Sequence, residues 1–64
     1  MITLKATLDG TTWTAYIRID GHVEIFRGRE LFDRGQDDGE TIHRAYRTPK
    51  NVLDALLAAE PECA

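Results

Sequence analysis

Two Asp-Gly pairs, Asp9-Gly10 and Asp20-Gly21, separate apolar runs that alternate with period two. Ile2, Leu4, Ala6 and Leu8 alternate with Thr3, Lys5 and Thr7, and Trp13, Ala15, Ile17 and Ile19 alternate with Thr12, Thr14, Tyr16 and Arg18. That period belongs to half-buried strands. Asp-Gly between such runs marks a hairpin, because glycine takes positive φ without a steric penalty. A two-residue turn at Asp9-Gly10 sets Leu8 opposite Thr11, Ala6 opposite Trp13, Leu4 opposite Ala15 and Ile2 opposite Ile17, so apolar residues meet. The same turn at Asp20-Gly21 would set Ile17 against Glu24 and Ala15 against Phe26, mixing the faces. A three-residue loop, Ile19-Asp20-Gly21 with Gly21 as a bulge glycine, sets Arg18 opposite His22, Ile17 opposite Val23 and Ala15 opposite Ile25. A one-residue slip inverts every side chain of a strand, so the three-residue loop is expected.

Beyond the third strand the alternation fails. Arg27-Gly28-Arg29 interrupts it, and the 30–40 segment, with Gly35 and Gly39 among acids, reads as an exposed acidic loop. Thr41 to Arg47 is expected as a fourth strand, with Ile42 and Tyr46 on one side and His43 and Ala45 on the other. Thr48 as N-cap and Pro49 at the first helical position then open a helix over 49–60. Val52, Leu53, Leu56 and Leu57 form its apolar stripe, and Pro61 ends it, leaving 61–64 as a frayed tail. The predicted fold is α+β: an antiparallel three- to four-stranded sheet, order 1-2-3 with the fourth strand on an edge, and one C-terminal helix packed on one face. The expected core is Ile2, Leu4, Ala6, Trp13, Ala15, Ile17, Val23, Ile25, Val52, Leu53 and Leu56.

The chain has 64 residues, enough for one small domain over 1–64 that buries only ~60% of its unfolded surface. No apolar run approaches the ~20 residues of a membrane span, and Met1 to Lys5 lacks the basic and apolar regions of a signal peptide. Cys63 is the only cysteine, so no intrachain disulfide can form, and a cytoplasmic location is expected. Serine is absent, no phosphate-binding glycine loop occurs, and the adjacent acids Asp37 and Asp38 have no apolar pocket to raise a pKa. A calcium loop begun at Asp33 would need an oxygen ligand where Gly35 stands, glycine where Asp38 stands and Glu where Arg44 stands. His22 and His43 are too few for a zinc site. The chain is therefore read as no enzyme, with no cofactor and no metal.

The net charge of −3 conceals segregation: residues 1–29 carry +1, 30–40 carry −4, 41–50 carry +3 and 51–64 carry −3. The candidate partner-binding residues are the five acids of the loop, Glu30, Asp33, Asp37, Asp38 and Glu40, which would form a negative patch able to steer docking on a basic surface. The alternative is a small nucleic-acid-binding regulator in which Arg18, Arg27, Arg29, Arg44 and Arg47 gather at one end of the sheet with Tyr16, Phe26 and Tyr46, with Tyr16 and Phe26 stacking on bases. An acidic total argues against direct nucleic-acid binding. A structural or assembly module is the third reading. Tyr16 and Phe26 on the outer sheet face call for cover, by a partner or by a homodimer.

A very small, acidic, serine-free, strand-rich chain with a closing helix resembles many phage and mobile-element proteins. Among these it is similar in size and charge to the small anti-CRISPR inhibitors. The resemblance implies an inhibitor that occupies a surface of a larger protein or ribonucleoprotein complex, such as a CRISPR effector, with carboxylates standing as a DNA mimic. It implies no membrane association.

Overall fold

The computed structural model describes residues 1–63. Its elements are β1 (Ile2–Leu8), β2 (Thr11–Ile17), β3 (His22–Arg27), β4 (Glu30–Asp37), β5 (Ile42–His43), α1 (Lys50–Ala58) and β6 (Glu62–Cys63). All belong to one antiparallel sheet of order β5-β4-β3-β2-β1-β6, apart from the helix. The architecture is α+β with a single C-terminal helix, as expected. The strand number is larger than expected: four long strands form a meander, and a two-residue strand is added at each edge.

The first two hairpins have the registers that the alternation demands. Ile2 pairs with Ile17, Leu4 with Ala15 and Ala6 with Trp13; Asp9 and Gly10 both take positive φ, 51° and 78°. Ile17 pairs with Val23 and Ala15 with Ile25. The Arg18 amide donates to the His22 carbonyl at 2.9 Å, closing the three-residue loop, with Gly21 at φ 89°.

The third hairpin corrects the sequence reading. Arg27 pairs with Glu30 across a two-residue turn, Gly28-Arg29, with Gly28 at φ 62°. Glycine at the first central position is the hallmark of a type II′ hairpin turn. The segment expected as an acidic loop over 30–40 is therefore a strand from Glu30 to Asp37, and only 38–41 is loop. β4 carries one bulge. Ile25 pairs with Asp33 while Phe26 pairs with Leu31, so Phe32 is the extra residue. Such an insertion resets the alternation. Leu31 shares the outer face with Phe26, and Asp33 shares the inner face with Ile25. Phe32 also turns inward, its ring meeting the Trp13 ring edge-on at 5.0 Å and 88°.

The expected fourth strand, 41–47, shrinks to Ile42–His43. Arg44 takes φ 65°, which ends extended backbone. Ala45 turns into the core, and Tyr46 into solvent, at 7% and 89% exposure. The helix starts one residue later than expected, with Pro49 as N-cap and no side-chain cap. The Thr48 hydroxyl instead donates to Asp33 Oδ2 at 2.9 Å. At the far end, residues 62 and 63 pair with Thr3 and Ile2, so that part of the expected frayed tail is an edge strand. Ala64 lies outside the described residues.

The helix covers the inner face of β1 and β2. Leu4, Trp13, Ala15, Ile17, Val23, Ile25, Val52 and Leu56 are buried as expected, and Ile42 and Ala45 join them. Leu53 and Ala6 are only partly buried. Ile2, at the first position of β1 beside exposed Met1, lies outside the core at 38% exposure. Leu56 is fully buried and Leu53 sits at the helix flank. Leu56→Ala is therefore expected to lower unfolding free energy by about 2–5 kcal/mol, and Leu53→Ala by less, as read from urea denaturation.

Candidate functional site

The antiparallel meander assigns the turns to two ends. The β2–β3 loop and the 38–41 loop lie at one end. The Asp9-Gly10 and Gly28-Arg29 turns lie at the other, where the Gly28 amide donates to the Thr12 carbonyl at 2.8 Å.

The five candidate acids do not form one patch. Glu30 and Asp37 occupy opposite ends of β4, on the order of 20 Å apart at strand rise. Asp33 is turned inward by the bulge. Its Oδ2 accepts from the Arg47 amide at 2.9 Å, the Thr48 amide at 3.0 Å and the Thr48 hydroxyl at 2.9 Å, and its Oδ1 accepts from the Arg34 amide at 2.8 Å. Asp33 thus acts as the clamp between β4 and the lead-in to the helix, and it is not a free surface charge.

The other three acids come together with a fourth that the sequence reading left out. The Asp37 amide donates to the Gly21 carbonyl at 2.7 Å, and Gln36 Nε2 donates to the Asp20 carbonyl at 3.2 Å. The β2–β3 loop and the end of β4 are thereby tied together, which brings Asp20 beside Asp37, Asp38 and Glu40. Gly21 is required at this seam. A Cβ there would stand 2.9 Å from the Asp37 carbonyl oxygen and 2.7 Å from Gln36 Nε2. The Asp20 carboxylate accepts from the His22 amide at 2.9 Å. Asp38 Oδ1 accepts from the Glu40 and Thr41 amides, both at 2.9 Å, and its Oδ2 lies 2.6 Å from His43 Nε2. These backbone donors from Thr41 and Glu40, then His43, hold the Asp38 carboxyl well below the usual carboxylate range. Asp37 and Glu40 make no side-chain hydrogen bond or ion pair among the described residues; Glu40 is exposed, and Asp37, opposite buried Ile42, is half-buried.

The arginine set also divides. Arg18 lies on the outer face and pairs with Glu24, Nη2 to Oε1 at 3.2 Å. Beside it Tyr16 and Phe26 meet edge-on at 5.5 Å and 83° and are each half-buried, so these two rings partly cover one another. Arg44 follows β5 and is exposed. Arg27 and Arg47 converge elsewhere, on Phe32: their guanidinium carbons lie 5.3 Å and 5.0 Å from its ring centroid. Arg29 occupies the adjoining turn. Phe32 was not among the sequence candidates, because a regular strand would give no reason to bring Arg47 to it. The signal that could have found it is the Gly28-Arg29 turn, which makes 30–37 a strand.

Among the described residues no three His, Cys, Asp or Glu side chains stand close enough to share a metal ion, and no helix is long and apolar enough to cross a membrane. No protein-family model, curated protein or solved structure matches this chain.

Two outcomes follow from the carboxylates that are already engaged. Asp33→Ala removes the acceptor of three amides and a hydroxyl and is expected to lower stability by about 1–3 kcal/mol, measured by chemical denaturation. Asp38 titrates lower in the folded chain than in the unfolded one. Its contribution is therefore full above about pH 5, where the unfolded carboxyl is already ionised, and is lost as the pH falls through the lower pKa of the folded carboxyl. Asp38→Asn should flatten this acid limb of the stability profile.

Proposed function

We propose that this chain is a non-enzymatic protein-binding module of inhibitor type. In this reading it docks its acidic end on the basic, nucleic-acid-binding surface of a larger protein or ribonucleoprotein complex. The observation that supports the reading is the seam between the two acidic turns. The 2.7 Å bond from the Asp37 amide to the Gly21 carbonyl ties the turn carrying Asp20 to the end of β4, so that Asp20, Asp37, Asp38 and Glu40 share one end of the sheet on hydrogen-bonded backbone. Two of the carboxylates, Asp20 and Asp38, are already held by backbone amides and lose little conformational freedom on docking, and the group attracts a cationic surface at long range. B-DNA carries one negative charge per ~1.7 Å, so four carboxylates substitute for a few phosphates only, and the mimicry is local.

A CRISPR effector is one complex of this chemistry, in keeping with the resemblance in size and charge to anti-CRISPR inhibitors. A phage origin and action in the cytoplasm belong to the same reading. The site proposed from the sequence changes in membership. Asp37 and Glu40 are the carboxylates without a side-chain partner among the described residues, Asp38 holds the loop, Asp20 joins, and Glu30 and Asp33 drop out.

The experiment is affinity capture with tagged protein from the cells that produce it, followed by identification of what is retained. Asp37→Lys combined with Glu40→Lys is expected to abolish the complex, and Glu30→Lys, at the other end of β4, to leave it intact. A complex that survives the double reversal unchanged would contradict the acidic-end reading.

A further inference from the structure

The end of the molecule opposite the acids carries a second, independent constellation. Phe32 is held by Trp13 behind it, at 5.0 Å edge-on. Two guanidinium groups, of Arg27 and Arg47, stand against the same ring at 5.3 Å and 5.0 Å. They therefore lie within roughly 10 Å of each other. Among the described residues neither is paired with a carboxylate, and nor are Arg29 and Arg34 nearby; the ion pairs are Lys5–Glu62 and Arg18–Glu24, and Asp38 is hydrogen-bonded to His43. The carboxylate that borders the Arg47 groove, Asp33, is occupied by the amides of Arg47 and Thr48 and by the Thr48 hydroxyl. Glu30 borders the groove of Arg27 and Arg29 on the turn side.

Next to Arg47 is Tyr46, 89% exposed at the tip of a turn that the Thr48 amide closes on the Ala45 carbonyl at 3.3 Å. A tyrosine held in water on a hydrogen-bonded turn contributes nothing to the core. It directly precedes Arg47, whose guanidinium group is unpaired among the described residues, and its exposed ring is free to stack. Guanidinium groups on an aromatic ring keep their N–H edges free for anions.

We infer that Arg27, Arg47 and Tyr46, supported by Phe32, form a binding site for single-stranded nucleic acid. The guanidinium groups hold backbone phosphates, and Tyr46 stacks on an unpaired base. Single strands are favoured because stacking on Tyr46 needs a base face that a duplex buries. This site does not depend on the acidic-end reading. It uses other residues, at the other end of β4, and it differs from the outer-face arrangement of Arg18, Tyr16 and Phe26, where Arg18 is neutralised by Glu24.

The test is fluorescence anisotropy with a labelled oligothymidine strand of roughly 16 nucleotides, at low and at physiological salt. A duplex of the same length and a poly-glutamate peptide serve as parallel probes. Binding to the single strand is expected to weaken steeply with salt and to exceed binding to the duplex. Arg27→Ala with Arg47→Ala should abolish it, and Tyr46→Ala should weaken it by roughly tenfold. The acid-end pair Asp37→Lys and Glu40→Lys should retain it. Circular dichroism checks that each variant is folded; Tyr46 and both guanidinium groups lie outside the core, and the Arg47 contact with Asp33 is made by its backbone. Three results would each overturn the inference: no binding to the strand at low salt, equal binding by the folded double arginine variant, or binding to poly-glutamate as tight as to the strand.

Discussion

One extra residue in β4 organises this molecule. With Ile25 opposite Asp33 and Phe26 opposite Leu31, Phe32 is accommodated as a bulge, and Phe32 and Asp33 both lie on the helix side. Two consequences follow from that placement. The Phe32 ring closes the core against Trp13 and offers a support for Arg27 and Arg47. The Asp33 carboxylate reaches the Arg47 and Thr48 amides and the Thr48 hydroxyl, fixing the lead-in to α1 where Pro49 as N-cap supplies no side-chain bond. Without the bulge Asp33 would face solvent, and those amides would need another partner.

The same strand separates the charges. β4 runs from the arginine-rich turn at Gly28-Arg29 to the acidic end at Asp37, so a segment that concentrates acids in sequence distributes them in space. Glu30 is left among arginines, Asp33 is turned inward, and Asp37 is carried to the seam with Gly21. There Asp20, from a different hairpin, supplies the charge that Glu30 and Asp33 do not. The result is a small domain whose acids gather on hydrogen-bonded loops at one end, where Met1 and Arg18 border Asp20, and whose arginines gather on an aromatic ring toward the other, where Glu30 borders Arg27 and Arg29. Net charge alone conceals both.

Local chemistry made the first half of the chain legible. Asp-Gly turns and strict alternation leave only one register in which Ile17 meets Val23 and Ala15 meets Ile25, and that register is present. The helix stripe through Val52 and Leu56 was equally plain. Residues 27–48 were not legible, for identifiable reasons. Gly28 resembles an interruption unless Gly-Arg is taken as a two-residue turn. A bulge conceals the alternation of β4, since Leu31, Phe32 and Asp33 point out, in and in. Arg44 adopts a positive φ that its side chain does not advertise. The candidate sites suffered accordingly. The acids are neighbours in sequence and the arginines are spread over four segments, whereas the grouping of both is set by contacts between Gly21 and Asp37 and between Arg47 and Phe32, which are long-range and carry no local signature.

The measurement that tests this account most directly is the β3–β4 register by nuclear Overhauser spectroscopy on the labelled protein. The account predicts cross-strand contacts placing Ile25 opposite Asp33 and Phe26 opposite Leu31, contacts between the Phe32 and Trp13 rings, and slowed exchange of the Arg47 and Thr48 amides. A regular ladder, with Ile25 opposite Phe32 and Glu24 opposite Asp33, or with Phe26 opposite Phe32, would contradict it.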